Sequence, residues 1–323
     1  MAPPIVRLGL IGCGTVGAAF ARQLIASEHH LAQRLGARLH LAQVAVRHPR
    51  RADLPVPSST VHSDAAALAS DPDIDVVVEA SGDPAASEWL RTAMERDAAV
   101  VTANKQAVAR SPWLLRRLAR SDRRLWCEGA VAAAIPVIRA LRESLSGEVI
   151  HGIRGVINGT STYVLSRLEQ GVELAAALEE ARARGYTELD AGADLDGTDA
   201  AAKLAILCTV AWRTPTHFSL VGVAGVHPVL PLVRQGGWRL VASATREGER
   251  IVAAVRAERL ADGDPLAAAS GVVNVVQVRA ALAGTLTWSG AGAGGNATAS
   301  ALLGDVLPAA RHALRRLRAR VAA

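Results

Sequence analysis

Two lysines, Lys105 and Lys203, stand against 34 arginines in this chain of 323 residues. Arginine is effectively never deprotonated, whereas a lysine ammonium is a compact charge whose pKa falls on burial, so a proton-moving step can use one and not the other. Lys203 follows Asp199 by four residues, which places both on one face of a helix spanning Thr198 to Trp212. Five carboxylates, Glu188, Asp190, Asp194, Asp196 and Asp199, crowd into twelve residues, and the helix continues as Leu204, Ala205, Ile206 and Leu207, a buried sequence. Carboxylates massed at the start of an apolar helix suit capture of a cationic amino group, with one lysine placed for proton transfer. A surface ion pair would show the same spacing. Lys105 closes the run Val100-Val101-Thr102-Ala103-Asn104-Lys105, just past the end of an expected strand.

A second chemistry-bearing run lies near the start. Gly12-Cys13-Gly14-Thr15-Val16-Gly17 follows an apolar strand-like segment, Val6 to Ile11, and opens an apolar helical pattern through Ala18, Phe20, Ala21, Leu24 and Ile25. Strand, glycine turn and helix are the context a dinucleotide fingerprint needs: Gly12 for the tight turn, Gly14 for close approach of a pyrophosphate, Gly17 for helix packing. The second strand of such a unit normally ends in an acid that holds a ribose hydroxyl. Here it ends in Val46-Arg47-His48-Pro49-Arg50-Arg51, with no carboxylate before Asp53. Arg47 and Arg50 suit a 2′-phosphate, so NADP is expected in preference to NAD.

These residues need a scaffold. Strand-like runs at Leu39 to Val46, Ile74 to Glu79 and Ala98 to Thr102 alternate with helix-like stretches at Ala85 to Arg96 and Pro112 to Ser121, the pattern of a Rossmann-type doubly wound parallel sheet in an α/β fold. Farther on the texture changes. Val149 to Ile157 reads as a strand, Ser161 to Arg184 as one broken helix, and four strand-like runs follow at Arg239 to Ala244, Ile251 to Glu258, Val272 to Ala280 and Gly284 to Ser289. This predicts an α+β substrate and dimerisation domain over 131–297. The dinucleotide-binding domain covers 1–130 and is completed by a closing helix within 298–323.

With 50% hydrophobic residues the chain has material for real cores, and the net charge of +6 invites a nucleic-acid reading. The arginines are spread along the chain, however, and the dense run Arg311, Arg315, Arg316, Arg318, Arg320 reads as a solvated helix face. No nucleic-acid or membrane partner is expected: six Trp, two Tyr and two Phe are scattered singly, and no stretch of 18 apolar residues occurs. Cys13, Cys127 and Cys208 lie far apart without metal-ligand spacing and read as buried thiols of a cytoplasmic protein.

Taken together, the chain resembles homoserine dehydrogenases over nearly its whole length. The resemblance rests on the glycine fingerprint, Thr102-Ala103-Asn104-Lys105, Glu128 to Pro136, the run Gly155 to Tyr163, Gly185-Tyr186-Thr187-Glu188 leading to Asp199 and Lys203, and the glycine-rich turn Gly290 to Ser300. It implies interconversion of L-homoserine and L-aspartate 4-semialdehyde with NADP (NAD being possible), a step in threonine and methionine biosynthesis, by a homodimer. It implies Lys203 as the proton-transfer group, Lys105 beside the cofactor, and Glu188, Asp194 and Asp199 around the substrate. Cofactor contacts are implied at Gly12, Cys13, Gly14, Thr15, Val16, Gly17, Arg47, Arg50, Ser81, Lys105 and Gly292. A monovalent cation such as sodium is implied at carbonyl oxygens of Glu128, Val131, Ala133 and Ile135, although Ala133-Ala134 replaces a usual Gly-containing pair and Ala291 replaces a usual proline. An added Cβ matters there if either alanine needs φ > 0. No kinase or regulatory domain is expected after Ala323. Two rivals make different demands: an aspartate-semialdehyde dehydrogenase needs a nucleophilic cysteine with a histidine base, and Cys127 has only Glu128 beside it; a non-catalytic NADP-binding sensor of the same fold would not need both lysines.

Overall fold

The computed structural model describes residues 3–49, 53–184, 186 and 192–322. The chain forms two compact units, one of residues 1–130 and 294–323, the other of residues 131–293. In the first unit the strands are β1 (Ile5–Ile11), β2 (Arg38–Ala45), β3 (Val61–His62), β4 (Val76–Glu79), β5 (Ala99–Thr102) and β6 (Leu125–Trp126). They lie side by side in the order β3-β2-β1-β4-β5-β6, and every pairing is parallel. This is the doubly wound order whose direction reverses between β1 and β4, where a ligand crevice opens outside the carboxyl ends of the strands. The sequence explains the central strands: β4 (VVVE) and β5 (AVVT) are buried at every position, as strands covered on both faces must be. The edge strands β3 and β6 have two residues each, too short to leave a periodic signal in the sequence.

The helices between these strands are α1 (Thr15–Ala26), α2 (Glu28–Leu35), α3 (Ala65–Ser70), α4 (Ala86–Glu95), α5 (Lys105–Arg110) and α6 (Pro112–Ala119). Phe20 and Leu24 of α1 share one core with Leu8 and Leu10 of β1, Val78 of β4 and Val101 of β5. The closing helix, Gly295–Ala322, joins that core through Leu302, Val306, Ala310 and Leu314. The solvated face expected for its arginines needs one correction. Arg311, Arg315 and Arg318 are exposed, but Arg316 turns inward: its Nη2 lies 3.5 Å from Asp75 Oδ1 with 15% of the side chain exposed, and its Nη1 donates to the carbonyls of Arg96 and Asp97.

The second unit starts with a short helix, α7 (Val137–Arg139), that runs into a wider turn, and then β7 (Ile150–Val156). The expected broken helix is two helices, α8 (Gly159–Glu169) and α9 (Leu174–Ala183), parted where Gly171 adopts φ +86°. After α10 (Gly192–Leu195) and α11 (Thr198–Trp212) come β8 (Gly222–Gly225), β9 (Trp238–Glu247), β10 (Arg250–Arg259), β11 (Val273–Ala280) and β12 (Gly284–Ala291), which makes the closing helix α12. The sheet order is β12-β11-β7-β9-β10-β8. It is mixed: β8 runs parallel to β10 and the other pairings are antiparallel. α8 and α11 pack on the sheet face that carries Ile153, Ala244 and Val278, residues opposite one another in register. The polar face, with Arg154, Ser243, Thr245, Arg256 and Arg279, borders an open depression of ≈730 Å³.

Candidate functional site

At the crevice of the first unit the three glycines have three separate physical reasons. Gly12 adopts φ +88°, and a Cβ there would lie 2.5 Å from Ser81 Cα, so both conformation and space demand glycine. A Cβ on Gly17 would sit 2.0 Å from the carbonyl oxygen of Gly12, so α1 can start this close to the turn only without a side chain. Gly14 has nothing within 4 Å of its virtual Cβ and presents bare backbone. It is also the N-cap of α1 and offers no side-chain cap, leaving the helix start, Thr15 to Gly17, to an external anion. The adjoining cleft of ≈600 Å³ is lined by Gly12, Cys13, Gly14, Arg47, His48 and Ser81, among others. These features fit a dinucleotide: an open glycine at the approach point, a helix N-terminus, and a cleft of ligand size.

The other expected cofactor residues fall differently. Arg47 is 77% exposed and lies 3.6 Å from Asp83, an exposed pair worth about 0–1 kcal/mol and cheaply exchanged for another anion. Arg50 lies outside the described residues. Ser81 lines the cleft, but its hydroxyl already donates to Glu79 Oε1 at 2.7 Å and accepts from the Asp83 N–H. Lys105 is the first residue of α5 and is half-buried. Its place is set by Asn104, whose side chain caps the helix by accepting from Ala107 N at 3.0 Å and whose Nδ2 donates to Asp83 O at 3.1 Å.

The second unit builds its cluster from side chains. Lys203 Nζ lies 2.7 Å from Asp199 Oδ2 and donates to the carbonyl of Ile157 at 2.8 Å. Its side chain is 12% exposed because α11 is buried along nearly its whole length. The four-residue spacing thus forms an ion pair inside the unit, not on its surface. The sequence expectation did not include the residue that links this pair to Asp194. Asn158, 3% exposed, donates from Nδ2 to Asp194 Oδ1 at 2.6 Å and to Asp199 Oδ2 at 2.9 Å. Its Oδ1 accepts from Ser161 N at 2.8 Å and caps α8. An asparagine just after a strand and just before a helix carries a signal, but a cap alone accounts for it.

The crowded carboxylates do not all share this cluster. Asp196 is exposed and holds the turn into α11 by accepting from Thr198 N and Oγ1, both at 2.8 Å, while Gly197 takes φ +89°. Glu188 and Asp190 lie outside the described residues. Between them and α9, Tyr186 is fixed at both ends: its carbonyl accepts from Thr160 Oγ1 at 2.8 Å, and its ring meets Tyr163 edge-on with centroids 5.2 Å apart. Burial, and then the bond from its hydroxyl to Glu180, push the Tyr163 phenol above its usual pKa.

In the expected cation loop Ala132 and Ala133 have φ of 54° and 44°. The left-handed pair is therefore one residue earlier than the Ala133-Ala134 pair singled out in the sequence, and the loop keeps that conformation without glycine. Ala134 donates its N–H to Ala291 O at 3.2 Å. Glu128 belongs to the first unit, where its N–H donates to Asp305 Oδ2 at 2.8 Å; Val131, Ala133 and Ile135 belong to the second. Among the described residues no three His, Cys, Asp or Glu side chains converge as a metal site. Gly292 is required by packing: a Cβ there would overlap the amide of the fully buried Asn274 at 2.0–2.2 Å. None of the three cysteines forms a disulfide and all are buried, and burial pushes the Cys208 thiol up to about 12.

Comparison with known proteins agrees with this geometry. Residues 12–127 match the model of the homoserine dehydrogenase NAD-binding domain, and residues 136–307 match that of homoserine dehydrogenase. The homoserine dehydrogenase of Mycobacterium tuberculosis is 39% identical over 321 residues, an alignment covering 95% of this chain and 73% of the relative. An NAD(+)-dependent homoserine dehydrogenase of Pseudomonas canavaninivorans is 33% identical over 335 residues, covering 93% of this chain and 95% of the relative. The crystal structure of a homoserine dehydrogenase from Thiobacillus denitrificans superposes with a TM-score of 0.84 at 31% identity, covering 96% of this chain and 74% of that one. With both units matched in order, an open dinucleotide crevice in one and a buried lysine-carboxylate cluster in the other, the chain belongs to the homoserine dehydrogenase family.

Proposed function

We propose that the protein oxidises L-homoserine to L-aspartate 4-semialdehyde and catalyses the reverse reduction, with NADP preferred to NAD. The observation that carries this reading is the linked set Asn158, Asp194, Asp199 and Lys203, in which the ammonium pairs with Asp199 and the Asn158 amide joins Asp199 to Asp194. Two of the three N–H donors of Lys203 go to Asp199 and Ile157, and the third serves the substrate oxygen. In aldehyde reduction Lys203 gives that oxygen a proton; in alcohol oxidation it takes the hydroxyl proton back. Asp199 orients Lys203, and Asp194 with Glu188 receives the substrate ammonium. When bound, the nicotinamide supplies or accepts the hydride at the carbinol carbon. Gly12, Gly14, Gly17 and the α1 start hold its pyrophosphate, Lys105 lies on its nicotinamide side, and Arg47 with Arg50 takes the 2′-phosphate. The NAD(+)-dependent relative means that family membership does not choose the cofactor, so the choice rests on those arginines.

Three further assignments accompany this reading. Carbonyls of Val131, Ala133 and Ile135, with Glu128, take a monovalent cation, because backbone oxygens are the donors such an apolar loop offers. A second copy of the chain covers the polar sheet face, where Arg256 and Arg279 stand near Glu258 and Asp264 and supply charges of both signs for a two-fold contact. Three buried cysteines outside any disulfide fit a cytoplasmic setting, and among the described residues no helix is long and apolar enough to cross a membrane. The test is direct: L-homoserine and NADP mixed with the protein give rise to the reduced-nicotinamide absorbance band, with a lower KM for NADP than for NAD and a rate that responds to sodium. No absorbance change across pH and salt overturns the activity. Equal losses for both cofactors in R47A overturn the phosphate assignment, and a monomer by light scattering overturns the pairing.

A further inference from the structure

Glu79 ends β4 at the centre of the first sheet's carboxyl edge, flanked in register by Ile11 of β1 and Thr102 of β5. It is 0% exposed, and a carboxylate so far from water needs donors or a cation to offset its desolvation. It has donors only. Oε1 accepts from Ser81 N at 2.8 Å and Ser81 Oγ at 2.7 Å, and Oε2 accepts from Thr102 Oγ1 at 2.6 Å. None of the three carries charge, and among the described residues Glu79 forms no ion pair.

These bonds join two crevice segments. Ser81 is the residue against which Gly12 closes. Thr102 Oγ1 also accepts from Asn104 N at 2.9 Å, and Asn104 caps the helix that begins with Lys105 and reaches back to Asp83 O. A glutamine would keep all three contacts, its carbonyl accepting from Ser81 and its amide donating to the Thr102 hydroxyl, which would then accept twice and give up its own acceptor. The framework therefore explains the shape at position 79 and leaves the charge unexplained.

The place of the charge supplies a reason. In a sheet of this order the carboxyl ends of β4 and β5 belong to the second mononucleotide half, on the side of Lys105 and the nicotinamide, and the inference rests on that reading of the crevice. The nicotinamide ring is the part of the cofactor whose charge changes in the reaction: cationic when oxidised, neutral when reduced. We propose that Glu79 is an electrostatic positioning residue, a fixed buried anion beneath the crevice that favours the oxidised over the reduced cofactor while bracing the two segments that receive it. It acts through space and touches neither substrate nor cofactor.

The test compares dissociation constants of NADP+ and NADPH, read from fluorescence quenching of the tryptophans, one of which, Trp89, lines the cleft. Glu79→Gln is expected to raise the ratio Kd(NADP+)/Kd(NADPH) by about threefold to tenfold, as expected for one charge acting through a partly screened interior, with the unfolding midpoint near that of the parent. Thr102→Val removes a donor and keeps the charge; it should lower stability and leave the ratio unchanged, which preserves a reading if the glutamine variant fails to fold. An unchanged ratio in Glu79→Gln, or an equal shift in Thr102→Val, overturns the proposal and leaves Glu79 a brace alone. Failure of the parent protein to bind either nucleotide would instead sink the reading of the crevice.

Discussion

In the first unit a carboxylate, Glu79, is surrounded by three neutral donors, whereas in the second an amide and an ammonium, Asn158 and Lys203, are shared among carboxylates. The first arrangement lies behind a binding surface made of backbone: two glycines with no room for a Cβ, one facing open space, and an uncapped helix start. Side chains there act as struts. In the second arrangement the side chains are the surface. The lesson is that the two units should fail in different currencies: the crevice through atoms added to it, the cluster through functional groups removed from it.

The largest expected effect is at Lys203. Lys203→Arg keeps the positive charge near Asp199 but replaces an ammonium that can give up a proton with a guanidinium that is effectively never deprotonated, so kcat should fall about 10²-fold or more. NADP affinity, measured separately by fluorescence, should stay within about twofold. Loss of both together would break the comparison, because it would make the cluster a support for the crevice. Next come the glycines, which test the crevice from the opposite side. Gly14→Ala adds a Cβ that meets no protein atom within 4 Å, so its unfolding midpoint should match the parent while NADP affinity falls about tenfold. Gly17→Ala drives a Cβ to 2.0 Å from Gly12 O and should cost about 1–3 kcal/mol of stability, the range for overpacking. Calorimetry and nucleotide titration on the two variants separate the outcomes; a Gly14→Ala that binds NADP normally would mean no ligand approaches there.

How much of this was visible beforehand follows the same division. The first sheet was legible because the β-branched runs of Val76–Glu79 and Ala99–Thr102 are apolar up to a polar last residue, and the turn between β1 and α1 has glycines where a Cβ would collide. The Asp199 and Lys203 pairing was legible because helical period brings residues four apart together. Asn158 was not, since its partners lie 36 and 41 residues away and its cap to Ser161 explained it locally. Glu79 was hidden for a related reason: it reads as the polar end of an apolar strand, and nothing in its neighbours announces that Ser81 and Thr102 will converge on it. Arg316 misled because it shares a run with arginines that are exposed. Local period and sterics are written in adjacent residues; which polar group meets which across the chain is decided by packing.

Asn158 gives the next prediction, and it sharpens the contrast with Glu79. Asn158→Ser keeps an oxygen able to cap α8 but loses both N–H donors, so stability should change little while the KM for homoserine rises about tenfold or more, the scale of a lost bond to a charged group at about 1.5–3 kcal/mol. Asn158→Asp keeps shape and cap and puts a third carboxylate against Asp194 and Asp199. It should therefore lose more activity than the serine variant despite being closer in size. Equal kinetics for the two would show that the amide merely fills space.

The smallest effect is expected in the loop where the second unit uses backbone as the first unit does. Ala133 holds φ 44°, a conformation that costs an L-residue roughly 1–2 kcal/mol and glycine almost nothing. Against that gain, glycine adds about 0.5–1 kcal/mol of unfolded-chain entropy to be lost on folding. Ala133→Gly should then stabilise by a net of about 0.5–1 kcal/mol, seen as a rise of a few degrees in the unfolding midpoint. If the loop's carbonyls bind a cation, the relaxed backbone should also lower the sodium concentration that half-saturates activity, because less strain opposes their convergence. A variant that is stabilised but unchanged toward sodium would make the left-handed pair a simple chain reversal, tied down by the Ala134 to Ala291 bond; one that is destabilised would show that the alanine side chain packs well enough to outweigh its strain.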